Sequence, residues 1–490
     1  MKTLGQILNL LRIQGNHPSL DVPVSGISVK AQTVEPQQVF FAIKGAQFDS
    51  HSLVRQAVER GAAAIIVEDP NIREQYPERT VVVDCTRSQL AEAASAWFDA
   101  PSEQLNLVGI TGTNGKTTCS FLLRKVWEES QLVTGLIGTV ETTIGKRRLN
   151  SVLTTPGPLE LQAILKEMVD DKVSHAVMEV SSIALHQKRV LGCRFTAGIF
   201  TNLTQDHLDY HGTLENYFNC KLQLFTDFGL PLAVINIDDE WCRRVLVQGR
   251  AKRVLTFSLR DTSADFYAEP LNISVDGTEA RIKTPLGLVH YQTALMGAHN
   301  LSNLLAVLAT HYGLGGNIQD ALTALQSAGG APGRLERVMH GSRYPKIFVD
   351  YAHTEDALEN AIQALLKLKS KKSRLITVFG CGGDRDKTKR PQMARVASSL
   401  SDLTVVTSDN PRTENPDSIL SDIRTGILSS ATCHFEVNRK AAIEWALREA
   451  NVEDLVLIAG KGHETYQIIG TTQFPFDDRE VVREYYLNAQ

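Results

Sequence analysis

Cysteine is sparse and dispersed in this 490-residue chain. Cys85, Cys119, Cys193, Cys220, Cys242, Cys381 and Cys433 are seven in number and form no CxxC pair. An odd, scattered set in a long chain reads as reduced thiols in a cytoplasmic protein. Nor does any run reach the ~18 apolar residues of a membrane span. The stretch "MKTLGQILNLLRIQGNHPS" lacks a long apolar centre and a small-residue cleavage site, so it reads as a first helix and not as an export signal. No long block carries one sign of charge. A net charge of −4 and a pI near 6.4 argue against a basic nucleic-acid surface. Internal repeats and low-complexity tracts are absent too.

What is present is alternation. Hydrophobic residues make up 43% of the chain, ample for several cores, and the length suggests roughly three domains of about 150 residues. Strand-like runs ("VFFAIKG", "AAAIIVED", "LVGIT", "HAVMEVSS", "AGIFTN", "LAVINID") alternate with helical patterns such as "HSLVRQAVERG" and "TTCSFLLRKVWEES". This predicts the α/β class with mainly parallel sheets. "DFYAEPLNISVDGTEARIKTPLGLVHYQT" alternates like a small antiparallel sheet, with turns at Asp276–Gly277 and Pro285–Gly287. Pro101 and Ser102 mark one boundary, and "SAGGAPGRLERV" marks another. The expected domains are 1–100, 101–332 and 333–490. In the last of these, "KIFVDYAH", "RLITVFG", "LTVVTSD" and "DLVLIAGKG" read as strands of a doubly wound, Rossmann-like sheet. Its sites lie beyond the carboxyl ends of the strands.

Two local patterns carry chemistry. In "LVGITGTNGKTTCSFLL" a strand enters a Gly-rich loop and leaves as a helix. Gly112 and Gly115 permit tight turns that offer N–H groups to phosphate oxygens. Lys116 adds a full charge, and Thr117 adds a hydroxyl for Mg²⁺. Ile110 stands where the strict G-x-x-x-x-G-K-[ST] pattern has its first Gly. In "SDNPRTEN", Arg412 follows the rigid Pro411 at the end of a buried strand, placed to read an anionic group.

"GTNGKTT", "TTPGP", "MEVSS", "FTNLTQDHLDYHGTLENYF", "VDYAHTEDALENAI", "GCGGDRDKTKRP", "DNPR" and "GKGHETYQ" occur in this order. Together they resemble the Mur ligase family over nearly the whole chain, and within it the branch that adds the third residue of the peptidoglycan stem peptide. The resemblance implies an N-terminal α/β domain for the UDP end of the acceptor, a central P-loop domain for ATP and Mg²⁺, and a C-terminal domain for the incoming amino acid. The implied reaction joins meso-2,6-diaminopimelate to UDP-N-acetylmuramoyl-L-alanyl-D-glutamate through an acyl phosphate. A monomer with small-molecule partners, no nucleic acid and no membrane span is expected.

The resemblance also implies site residues. Gly112, Thr113, Asn114, Gly115, Lys116, Thr117 and Thr118 would hold the ATP phosphates. Asn300, Asn303, Arg334 and Asp350 would meet the rest of the nucleotide. Thr117, Glu179, His207 and Lys221, the last as its carbamate (N6-carboxylysine), would hold Mg²⁺, and Lys116, Glu179, His207 and Lys221 would be catalytic. Thr154, Thr155, Ser181, Gln187 and Arg189 would touch the muramoyl peptide. Arg385, Asp409, Asn410, Pro411, Arg412, Gly460 and Glu464 would bind the amino acid, and the "DNPR" form goes with meso-diaminopimelate.

Two single positions and one tripeptide depart from the family pattern. Cys220 replaces the common Ala before the lysine, and Ile183 replaces the His after the paired serines. Lys30-Ala31-Gln32 stands where relatives carry Asp-Ser-Arg, leaving Lys30 as the replacement cation at the UDP end. Weakened or altered acceptor recognition follows as an expectation. Another amide ligase of the superfamily and a catalytically silent relative are the alternatives. The long match at "GCGGDRDKTKRP" and "DNPR" argues against the first, and intact Lys116, Glu179, His207 and Lys221 against the second.

Overall fold

The computed structural model describes residues 2–6, 22–45, 48–149, 151–339, 341 and 343–488. The first helix expected near the N-terminus falls largely on 7–21, outside the described residues. The chain forms two compact units. One comprises Met1–Glu269, Ile282–Val289 and Ser302–Leu325; the other comprises Pro270–Arg281, His290–Leu301 and Gln326–Gln490.

The first unit opens on four parallel strands in sequential order: β1 (Gly26–Ser28), β2 (Gln38–Phe41), β3 (Ala64–Val67) and β4 (Thr80–Val82). Every residue of the "AIIV" in β3 is buried, as expected for a parallel strand covered on both faces. Helices α1 (Val54–Glu59) and α2 (Thr86–Trp97) belong to this layer. A second sheet follows. It contains β5 (Asn106–Thr111), β6 (Thr134–Ile137), β7 (Thr142–Ile144), β8 (Arg147–Leu149), β9 (His175–Glu179), β10 (Ala197–Phe200), β11 (Leu232–Asn236) and β12 (Arg253–Ser258), in the order β8-β7-β6-β9-β5-β10-β11-β12. From β6 through β12 all neighbours are parallel, while β7 and β8 return as antiparallel hairpins. Helices α3 (Lys116–Glu129), α4 (Pro158–Asp170), α5 (Ser182–His186) and α6 (Leu214–Thr226) connect them. The alternating stretch forms β13 (Phe266–Ser274), β14 (Gly277–Thr284) and β15 (Gly287–Thr293), broken at the two expected turns.

The second unit holds a six-stranded sheet. Its strands are β16 (Glu336–Arg337), β17 (Lys346–Asp350), β18 (Leu375–Cys381), β19 (Leu403–Ser408), β20 (Cys433–Phe435) and β21 (Leu455–Ala459), in the order β16-β17-β21-β18-β19-β20. All pairs are parallel except β16 with β17. A hairpin, β22 (Tyr466–Ile469) with β23 (Thr472–Pro475), and helix α7 (Asp478–Asn488) complete the chain. Because β17, β18, β19 and β21 run parallel, their polar C-terminal loops share one edge. Among the described residues no helix is long and apolar enough to cross a membrane. All seven cysteines are unpaired, and five are buried.

Candidate active site

The loop between β5 and α3 is built by its glycines. Gly112 has φ 142°, and a Cβ there would lie 1.9 Å from Thr201 Oγ1. Gly115 has φ 87°, and its Cβ would lie 2.4 Å from Asn303 Oδ1. Both positions therefore require glycine. Thr201 and Asn202, just beyond β10, brace the loop: Asn114 N donates to Asn202 Oδ1 at 2.9 Å, and Thr201 Oγ1 donates to Asn114 O at 2.6 Å. Cys119 Sγ, one turn into α3, lies 3.6 Å from Asn303 Oδ1. Thr118 is buried at the same helix start.

Lys116 Nζ donates to Gly112 O at 2.9 Å and to Thr113 O at 2.8 Å. Lys221 Nζ, from α6, donates to the same Gly112 oxygen at 2.8 Å. Lys221 is only 1% exposed, the opposite of a solvated surface lysine. Its ammonium lies 4.5 Å from the ring centre of Tyr217, one turn earlier on α6. Burial, and after it the charge of Lys116, push its pKa well below the ordinary lysine range, favouring the neutral amine.

Glu179, at the end of β9, is wholly buried. Its carboxylate accepts from Thr117 Oγ1 at 3.0 Å, from Thr139 N at 3.0 Å and from Thr139 Oγ1 at 3.1 Å. Thr139 in turn meets Thr154 Oγ1 at 3.0 Å. Thr155 Oγ1 donates to Glu179 O at 2.9 Å and accepts from Ser181 N at 3.1 Å. Arg189 Nη1 donates to Thr155 O at 2.9 Å, and its other nitrogens hold Gln187 Oε1. A single hydrogen-bonded chain thus joins the loop at Thr117 to the residues expected to touch the acceptor. Thr117 and Glu179 offer the hard oxygen donors that suit Mg²⁺. His207 sits at φ 52° edge-on to the Tyr217 ring, 6.2 Å between ring centres, and its side chain is 46% exposed. Among the described residues no group of three or more His, Cys, Asp or Glu is arranged for a metal, so protein side chains alone bring together only part of the expected set.

At Ile183, where the family has His, other rings supply the local contacts. His211 Nε2 lies 2.9 Å from Ser182 Oγ, and His186 Nδ1 lies 2.8 Å from Tyr210 Oη. Lys30 is exposed, Ala31 is buried and Gln32 is exposed.

In the second unit, the loops after β18, β19 and β21 interlock. Arg412 has φ 51°, unusual for a residue with a Cβ. Its Nη1 donates to Gly383 O at 2.8 Å, and its backbone N donates to Ile468 O at 3.1 Å. A Cβ on Gly382 would have Arg412 Nη1 at 3.0 Å and Arg385 Cγ at 3.8 Å. Arg385 is exposed, and among the described residues neither arginine has a carboxylate within ion-pair distance. Asn410 Nδ2 donates to Glu464 Oε2 at 2.9 Å, while Asn410 Oδ1 accepts from Lys461 Nζ and Ile468 N. Pro411 O closes on Gly383, and Gly460 (φ 119°) packs on Asp409 Oδ2. Asp350 is buried, accepts from Leu335 N and Ala352 N, and is pushed up in pKa by burial. Arg334 lies 5.3 Å from the Tyr351 ring centre, and Asn300 Nδ2 bonds Met296 O at 3.0 Å.

Comparison with known proteins decides the family. Residues 23–97 match the Mur ligase family catalytic domain, 110–311 the Mur ligase middle domain, and 333–462 the Mur ligase glutamate ligase domain. The chain belongs to the Mur ligase family. It is 43% identical, over 95% of its length and 94% of the relative's, to the UDP-N-acetylmuramoyl-L-alanyl-D-glutamate--2,6-diaminopimelate ligase of Gloeobacter violaceus. It is 42% identical, over 94% of both chains, to the ligase of the same name from Geobacillus thermodenitrificans. A solved structure of a ligase so named shares 32% identity and a TM-score of 0.73, covering 99% of each chain.

Several residues of this Mur ligase escaped sequence reasoning. Thr139 and Asn202 sit in ordinary polar loops. Lys461 lies inside the quoted "GKGHE", yet only the fold shows it fully buried between Asn410 and Glu464, at 3.1 and 2.9 Å. Arg439 is 1% exposed, pairs with Asp478 at 2.7 Å, and donates to Ser408 O and Ala459 O, tying together the ends of β19 and β21.

Proposed function

We propose that this Mur ligase is an ATP-dependent amide ligase that joins meso-2,6-diaminopimelate to UDP-N-acetylmuramoyl-L-alanyl-D-glutamate in peptidoglycan precursor synthesis. The observation that carries the reading is Lys221, a buried amine held against the carbonyl of the phosphate loop beside Lys116. A carboxylate is a poor electrophile, so the γ-phosphoryl group first passes from ATP to the acceptor carboxylate. The amine of the amino acid then attacks the acyl carbon, a C–N bond forms, and phosphate leaves with the C–O electrons.

Each domain has a part in this. Residues 1–100 hold the UDP end, with Lys30 at its edge. Residues 101–332 bind ATP through Gly112–Thr118, with Asn303. Residues 333–490 bring the amino acid, and Asn300, Arg334 and Asp350 meet the nucleotide. Lys116 neutralises charge on the transferred group. Thr117, Glu179, His207 and the carbamate of Lys221 would hold Mg²⁺, which supplies positive charge between the two anionic substrates. The carbamate forms when the neutral Lys221 amine adds to CO₂ and loses a proton. Thr154, Thr155, Ser181, Gln187 and Arg189 orient the muramoyl peptide. Arg412 and Arg385, without protein carboxylate partners, suit the distal carboxylate of meso-diaminopimelate, and Glu464, Gly460, Asp409 and Asn410 suit its ammonium end. Unpaired thiols fit a monomer working in the cytoplasm.

The test is phosphate release from ATP with acceptor and amino acid varied independently. Release that requires both the UDP-linked dipeptide and meso-diaminopimelate is expected. Release indifferent to either one refutes the proposal.

A further inference from the structure

A recess of about 80 Å³ in the first unit is lined by Ile43, Arg87, Leu90, Pro158, Gln187 and Arg189. Arg87 stands in the first turn of α2, and Arg189 follows α5. The sequence separates them by about a hundred residues, yet they face one cavity. Arg87 Nη2 donates to Lys44 O at 2.8 Å. Arg189 is fixed by Thr155 O and Gln187 Oε1. Among the described residues neither has a carboxylate within ion-pair distance.

Two unneutralised guanidinium groups on one small recess repel each other. Burial first, and the charge of Arg87 as well, pull the Arg189 pKa below its ordinary range. An anion between them removes that penalty and gains charge-assisted hydrogen bonds from both. The N-terminus of α4 adds to the positive field. Pro158 is its first residue, and the N-cap Gly157 provides no side-chain cap. By contrast Lys30 is exposed and does not line the recess.

We propose that Arg87 is an acceptor-binding residue, pairing with Arg189 around one anionic oxygen group of the UDP-linked substrate. This rests on the acceptor assigned above. The group is a phosphate of the UDP or a carboxylate of the D-glutamate; both present planar or tetrahedral oxygens suited to two guanidinium groups.

Calorimetry on the full-length protein without ATP or amino acid separates the possibilities. The titrants are UDP, the UDP-linked dipeptide, and the same dipeptide with its free α-carboxylate amidated. Arg87→Ala should weaken the dipeptide ligand by about ten- to a hundredfold, as expected for losing a charged hydrogen bond. Arg87→Lys should recover part of the loss, and melting temperatures of both variants verify the fold. A matching loss for UDP assigns the phosphate. A loss seen only with the unmodified dipeptide assigns the carboxylate. Unchanged dipeptide affinity in both folded variants overturns the proposal while leaving the ligase reading intact. No binding of the dipeptide by the unmodified protein overturns both.

Discussion

Lys221 and Lys116 donate to a single carbonyl oxygen, that of Gly112, at 2.8 and 2.9 Å. Two ammonium groups on one buried acceptor are mutually destabilising, and Lys221 is the one without solvent. Losing its proton relieves the repulsion, and adding CO₂ converts it into an anion beside a cation.

Lys221→Ala should therefore abolish ligation. A loss of 10²-fold or more in kcat is expected from removing a preorganised charge, with melting temperature held or raised because a buried amine is gone. Short carboxylic acids should restore part of the activity, since only an anion is missing. Near-normal turnover by Lys221→Ala would exclude the carbamate role.

Much of this arrangement was legible in the sequence. The strand–loop–helix at Gly112–Lys116 and the strand ends at Asp350, Ser408 and Ala459, each followed by polar or Gly-rich residues, follow from local periodicity, which the parallel sheets preserve. Burial of charge was not legible. Lys221 lies 109 residues from the carbonyl it meets, so its surroundings are set by sheet order and not by its helix. The same holds for Arg87 with Arg189, and for Arg439, whose partner Asp478 is 39 residues away. Composition near each shows only an ordinary basic residue on a helix or loop.

Arg412 should set amino-acid choice. L-Lysine lacks the distal carboxylate of meso-diaminopimelate and would bring an ammonium toward Arg412 and Arg385. Rejection on the order of 10⁴-fold is expected of a site built around the missing group. Arg412→Ala should lose most of the preference, read as the ratio of kcat/KM for the two amino acids. Equal use of both by the unmodified enzyme would place Arg412 outside the pocket.

His463 should make the protein acid-sensitive. Its ring packs 4.9 Å from Tyr351, and burial, then the charges of Arg334, Arg479 and Lys461, push its pKa from 6.5 down to about 4. The unfolded chain thus binds a proton that the folded chain refuses between those values. Stability is full above pH 6.5 and falls as pH drops toward 4, by at most about 3 kcal/mol. Urea midpoints of the unmodified protein should drop between pH 7.5 and 5 more than those of His463→Gln. Parallel curves for the two proteins would contradict the assignment.

Lys461 should act as a positioning residue for the same pocket. It is wholly buried, 2.9 Å from Glu464, 3.1 Å from Asn410 and 3.6 Å from Asp409. One cation between two carboxylates leaves a single net negative charge at the site proposed for the amino acid's ammonium. It also fixes Asn410, whose amide bridges to Glu464 and to the hairpin at Ile468. Lys461→Met keeps the stem volume but strands two carboxylates, an effect worth several kcal/mol when a buried pair is broken. The KM for meso-diaminopimelate should rise at least tenfold, while the KM for ATP stays near its original value. A combined Lys461→Met, Glu464→Gln variant removes one stranded charge and should recover stability without recovering amino-acid affinity. A rise in both KM values together would show that Lys461 merely holds the fold.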